Sequence, residues 1–258
     1  MALRLIGVNL PDNITYPNLF DFEISGAISK DPIITADKSA ALGSYYLGKL
    51  TADVKHNFAN TSKPLTVIKN PQITDGSVIG TNLGYYDTGI SLSGLVSPYI
   101  AMSALVSVSD ATKGSIFGNF YRDPANANAT TGFVVAKTDT QIYINIGGGG
   151  AAKVVAINIP ASALSSGYLP VVAVIKTTGV TLGVWDSSSG AISTSSIDLG
   201  ASITGLDRTI LIGGSYSQID NAASNIKVYS VNFLHGDSSA FIASCKFLND
   251  TYAQTILE

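Results

Sequence analysis

From residue 66 onward, short apolar segments recur about every 8–15 residues and are separated by Gly, Ser, Asn and Asp turns. Nothing else in the chain restricts its fold as strongly. The clearest segment is "YIAMSALVSVSD", in which Ile100, Met102, Ala104, Val106 and Val108 fall on one face. "GFVVAKTDTQIYINIGGGG" has the form of a hairpin turning at "KTDTQ". "LPVVAVIKTTGVTLGVWDSSSGAIST" gives two strands around "KTTG", a turn at "DSSSG" and a further strand. "KVVAINIPASAL", "DRTILIGGS" and "NIKVYSVNFL" each read as one more. Many short strands at this spacing indicate an all-β sandwich or barrel. "GGGG" at 147–150 is not a phosphate loop, because no Lys-Ser/Thr pair and no helix follow it.

The two ends depart from this pattern. Residues 1–65 are turn-rich, and "ADKSAALGSYYLGKLTADV" reads as helical with Asp37 as cap, although Gly43 and Gly48 weaken it. The segment is expected to be an N-terminal arm attached to a domain at 66–258. At the other end Phe241, Ile242, Cys245, Leu248, Tyr252 and Ile256 fall near helical spacing. Asp237 or Ser238 can cap such a helix. It is expected to lie on the sandwich.

Composition limits the function. Only 13% of the 258 residues are charged, against roughly 25% in an ordinary soluble domain. The surface must therefore be covered by Ser, Thr, Asn and Gly. With a net charge of −3, the chain lacks the cationic excess that phosphate neutralisation requires, so no nucleic-acid partner is expected. One cysteine rules out an intrachain disulfide. The first residues are read as carrying no signal peptide, and no apolar run is long enough to span a membrane as a helix.

The order of the last third resembles the concanavalin A-like lectin/glucanase superfamily, and within it the laminin-G-like and pentraxin-like members. The residues that carry the likeness are "PVVAVIK", then "LGVWDSSSG", then "ILIGG", then "IKVYSVNFLHGDSS" with a helix after it. The resemblance covers roughly 85–258 and implies an antiparallel two-sheet jelly roll. The expected fold is thus an all-β sandwich with a short C-terminal helix and an N-terminal arm. The superfamily's glucanases carry alternating acids on one strand, since glycosidic cleavage takes two carboxylates flanking the bond. This chain has two glutamates, Glu23 and Glu258, and neither is in such a motif. The galectin-type His/Asn/Arg and Trp/Glu sets are missing as well.

Other chemistry fares no better. Cys245 falls on the inner side of the terminal helix and reads as a small apolar residue. His235 lacks a serine elbow or partner acid. One Cys and two distant His do not make a zinc site. Calcium stays open at "YRDPANANATTG" (Asp123, Asn126, Asn128) and at "SYSQIDN" (Asp220, Asn221), where the alternative is ordinary turn formation. No other cofactor is expected. Trp185 reads as an anchor at the sandwich edge rather than a ligand platform.

Carbohydrate binding remains. Sugars are held by an aromatic platform beside planar amides and carboxylates. One loop offers Tyr121, Arg122, Asp123 and Asn126, and another offers Tyr216, Gln218, Asp220 and Asn221. The low-charge, Ser/Thr/Gly/Ala/Asn-rich style looks like that of bacteriophage tail, fibre or capsid-accessory proteins. The expectation is a non-enzymatic virion component, folded in the host cytoplasm and displaying a lectin-like sandwich to surface glycan. Residues 1–65 would contact other virion proteins, and a homo-oligomer is expected. The alternatives are a decoration protein without ligand, or a polysaccharide-degrading enzyme of the same fold.

Overall fold

The computed structural model describes residues 40–47, 55–60, 62–68, 71–74, 77–80, 84–109, 113–217, 225–236 and 240–254. These form two antiparallel sheets packed face to face. In the first sheet the order is β14 (Ala191–Asp198), β13 (Gly179–Asp186), β12 (Tyr168–Ile175), β6 (Ile100–Ser107) and β16 (Ile226–Leu234). The far edge of β16 is shared. Its first half pairs with β4 (Ser77–Gly80), beside β3 (Gln72–Thr74), and its second half pairs with β1 (Ala41–Tyr46). The second sheet runs β11 (Lys153–Asn158), β10 (Gln141–Gly148), β9 (Asn126–Lys137), β7 (Gly114–Gly118), β15 (Thr209–Ile212), β5 (Tyr85–Ser91) and β2 (Thr66–Ile68). The short β8 (Tyr121–Asp123) pairs with the outer end of β9.

Alternation along each strand builds the core. Met102, Ala104 and Val106 of β6, Val171 and Ala173 of β12, and Leu182 and Val184 of β13 meet Phe133 and Val135 of β9 and Ile142, Ile144 and Ile146 of β10. Phe117 and Phe233 meet edge to face across the sheets, with ring centroids 6.1 Å apart. The face expected for "YIAMSALVSVSD" is the one that enters this core.

The outward face of the first sheet is also covered over β6, β12 and β16, while β14 stays largely exposed. A helix, α2 (Ala240–Phe247), continues into a π-helical turn at Leu248–Tyr252 and lies across it. Tyr46, Leu105, Tyr168, Tyr229, Phe247, Leu248 and Tyr252 pack as one cluster, and Ala101, Val172, Trp185, Leu234 and Cys245 as another. All eight residues of β6 are consequently buried. The expected terminal helix is therefore present, with Cys245, Leu248 and Tyr252 inward. Its proposed caps, Asp237 and Ser238, lie outside the described residues.

Several segments differ from their sequence reading. "ALGSYY" is strand β1 rather than helix, because Tyr45 and Tyr46 are pulled to opposite faces, one into the core and one under α2. "KVVAINIPASAL" is a strand followed by a short helix, α1 (Ala161–Ser166), which starts after Pro160. β1 pairs with β16, and Leu65 lies in the core. Residues 1–39 lie outside the described residues.

Asn57 ties the 55–65 segment down. It is buried, and its Oδ1 accepts from the backbone N–H groups of Ser44 (3.0 Å), Ala59 (3.0 Å) and Asn60 (3.1 Å). Its Nδ2 donates to the Tyr45 hydroxyl and to the Lys63 carbonyl, each at 3.1 Å. From β1 a polar chain crosses the sheet beneath α2. The Ser44 hydroxyl donates to Asn232 Oδ1 at 2.6 Å, Asn232 Nδ2 donates to Ser103 Oγ at 3.3 Å, and the Ser103 and Ser244 hydroxyls lie 3.4 Å apart. Burial pushes the Tyr45 phenol far above its ordinary pKa, with the Asn57 bond acting the other way. Asn57→Ala leaves several buried groups without partners. It is expected to lower stability by about 3 kcal/mol, read as a fall in the urea midpoint with an unchanged m-value.

Candidate ligand-binding surface

The loops that matter lie beyond β7 and β15, and one buried side chain joins them. β7 ends at Gly118, and Asn119 turns inward, fully buried. Its Oδ1 accepts from the Phe133 N–H at 3.0 Å, and its Nδ2 donates to the carbonyls of Gly205 and Arg208, both at 3.2 Å. The approach is close enough to need glycine opposite. Gly132 has φ +73°, and a Cβ there would sit 2.5 Å from Asn119 Oδ1. Phe120 then packs on Val134 and Ala136, on the outward face of the second sheet.

Tyr121, Arg122 and Asp123 follow as β8, all half-buried. The polar loop expected after them is a hairpin instead, in which Asp123 pairs with Asn126 across a two-residue turn and β9 begins at Asn126. Ala, Asn and Thr on an exposed hairpin have no apolar alternation to announce them. Asp123 Oδ1 accepts from the Ala125 N–H at 2.8 Å, and Asn126 Oδ1 from the Asn128 N–H at 3.2 Å. Both side chains thus shape their own turns. Among the described residues no group of three or more His, Cys, Asp or Glu is placed to hold a metal ion.

The second loop begins with the glycine pair of "ILIGG". Gly213 has φ +78°. A Cβ on Gly214 would lie 2.6 Å from the Tyr85 ring, so that glycine makes room for Tyr85. Ser215 Oγ then donates to the Phe120 carbonyl at 3.2 Å, which brings the two expected loops together. Tyr216 turns back over β15, its hydroxyl 2.7 Å from Thr209 Oγ1. Burial is the main cause that raises the Tyr216 phenol pKa. The Thr209 bond lowers it, the Asp87 carboxylate raises it, and Arg208 lowers it least. Gln218, Asp220 and Asn221 lie outside the described residues.

Arg208 stacks on Tyr121 and directly precedes Thr209, the partner of Tyr216. Its guanidinium is 4.6 Å over the Tyr121 ring, and Nη1 donates to Thr131 Oγ1 at 2.5 Å. Arg122 lies 6.0 Å from the Phe120 ring centroid. The surface therefore consists of Tyr121, Arg208, Thr209, Tyr216, Tyr85 and Asp87. Sequence reasoning found the two outer tyrosines and missed the rest, which come from strands and a strand entrance rather than from turns. One signal was available: the chain has only three arginines, Arg4, Arg122 and Arg208.

The remaining candidates are structural. Trp185 is buried under α2 beside Cys245. His235 lies on the connection after β16, its Nε2 3.2 Å from the Val96 carbonyl. The "GGGG" run is the β10–β11 turn, held where Thr130 Oγ1 donates to the Gly150 carbonyl at 2.6 Å. Asp186 organises the "DSSSG" turn. It accepts from the Ser188 hydroxyl (2.7 Å), the Ser162 hydroxyl of α1 (2.7 Å) and the Ser188 N–H (3.0 Å).

No family model and no curated protein sequence matches the chain. Solved structures match in fold. Domain 4 of AbnA, a GH43 extracellular arabinanase from Geobacillus stearothermophilus solved with arabinotriose, has a TM-score of 0.51 at 12% identity, over 80% of this chain and 98% of that one. A GH54 α-L-arabinofuranosidase soaked with a cyclic sulfate inhibitor gives 0.56 at 9% identity, over 88% of this chain and 65% of that one. Trypanosoma rangeli sialidase in complex with 2,3-difluoro-KDN gives 0.55 at 12% identity, over 91% and 38%. The likeness is one of fold. It agrees with the lectin-like sandwich implied by the "PVVAVIK … ILIGG" resemblance.

The serine bonds hold the Asp186 carboxyl down to about 2, the Ser188 hydroxyl contributing most. A depressed carboxyl stabilises the fold fully above the ordinary carboxylate range and loses that contribution as the pH falls through about 2. Carboxyl NMR titration is expected to place its midpoint there, and Ser188→Ala to move it up toward the ordinary value.

Proposed function

We propose that this domain binds polysaccharide without cleaving it, through the surface around Tyr121 and Tyr216. The observation that carries the reading is the convergence of two tyrosines from separate loops on Arg208 and Thr209. Aromatic rings beside planar hydrogen-bonding groups are what a pyranose or furanose offers its C–H faces and hydroxyls to. The neighbouring carboxylates already serve backbone groups, Asp87 the Gly89 N–H at 2.9 Å and Asp123 the Ala125 N–H at 2.8 Å, which favours binding over cleavage. The fold is shared with a domain solved with arabinotriose, which lends further support.

The low-charge composition supports display on an assembled particle such as a bacteriophage virion. Detection of the chain in purified particles tests that part.

Binding is tested on a polysaccharide array followed by calorimetry. Tyr121→Ala and Tyr216→Ala are each expected to weaken a hit by about tenfold or more, consistent with the loss of one stacked aromatic contact. Binding unaffected by either change would exclude this surface. Release of reducing ends from a bound polysaccharide would overturn the non-enzymatic part.

A further inference from the structure

We propose that the bound glycan carries an acidic group, a carboxylate or a sulfate ester, and that the Arg208 guanidinium reads it. The proposal rests on the binding surface described above and adds the chemical class of its ligand.

The chain is sparing with arginine. Twelve of its fifteen cationic side chains are lysines, and one of the three arginines, Arg208, stands at this surface. Arg208 is half-buried and held on two sides, by the Tyr121 ring beneath it and by Thr131 Oγ1 at Nη1. No carboxylate among the described residues pairs with it. Among the described residues the guanidinium makes one hydrogen bond, from Nη1 to Thr131 Oγ1. A guanidinium fixed in this way presents a flat fork of donors in advance of binding. Carboxylate and sulfate oxygens match that fork with two parallel hydrogen bonds, and little side-chain freedom is lost when they arrive.

The surrounding acids refine the approach. Asp87 and Arg208 act on the Tyr216 phenol in opposite senses. Asp123 and the exposed Asp207 repel a diffuse polyanion. Recognition then depends on one acidic group placed in register with the stacked ring, and not on bulk charge.

The test compares acidic polysaccharides on an array with carboxyl-reduced and desulfated forms of the same chains, and takes hits to calorimetry. The native form is expected to bind about tenfold tighter or more than its neutralised form, the span of one charge-assisted bidentate contact. Arg208→Gln is expected to erase that difference, so that the variant binds the native and neutralised forms within about threefold of each other. Arg208→Lys keeps the charge but not the fork, and is expected to recover only part of the preference. It also carries the test if the glutamine variant melts early. Which neutralised form loses affinity, carboxyl-reduced or desulfated, identifies the acidic group. Equal binding of native and neutralised forms overturns this inference and leaves the binding reading standing. So does a preference that survives Arg208→Gln. No binding to any chain in any arm overturns both.

Discussion

The first sheet is buried on both faces along β6 and most of β16, and that constraint organises the molecule. With the second sheet on one side and α2 on the other, no water reaches the middle of β6 or β16. Every polar side chain placed there must find its partner within the protein, because an unpaired buried group costs more than its bond returns. The Ser44–Asn232–Ser103–Ser244 chain meets that demand across the sheet, and Asn57 meets it for the segment beside β1. The proposed binding surface lies elsewhere, where Arg208 stacks over Tyr121 and Tyr216 meets Thr209.

The sandwich was readable wherever strand alternation met a buried face. β6, β9, β10, β12, β13 and β16 all appear at their apolar runs, because one face of each strand is filled by Val, Ile, Leu or Phe. The reading failed where that signal was missing or doubled. β1 hides behind Ala, Gly and Ser, and its two tyrosines serve opposite faces, so its pattern has no single apolar side. The start of β9 is Asn, Ala and Thr, whose extended conformation is set by pairing with β8 and not by burial. α1 is too short to show a period of its own, and only Pro160 marks its start.

The candidate surface was half legible for a related reason. Tyr121 and Tyr216 stood out as aromatics among turn residues. Arg208, Thr209, Tyr85 and Asp87 sit on strands or at a strand entrance, where a linear reading assigns them to architecture. What fixes Arg208 beside Tyr121 is Asn119, a single amide among many in a chain rich in asparagine. Only its three bonds, to residues far apart in sequence, reveal its role. The glycine pair at 213–214 belongs to the same category. Gly214 makes the space that Tyr85 occupies.

The Asp123–Asn126 hairpin tip stands apart from this clamp. Its residues bond to their own turn, whereas Arg208 is held by Asn119 at its carbonyl and by the Tyr121 ring and Thr131 at its guanidinium. A lineage under pressure to change its target thus has two distinct materials at one surface. The tip is free to drift, lengthen or change composition at almost no cost to folding. The clamp holds the aromatic and cationic elements in one arrangement throughout. Diversity in such a domain would accumulate at its rim, with the central contact preserved.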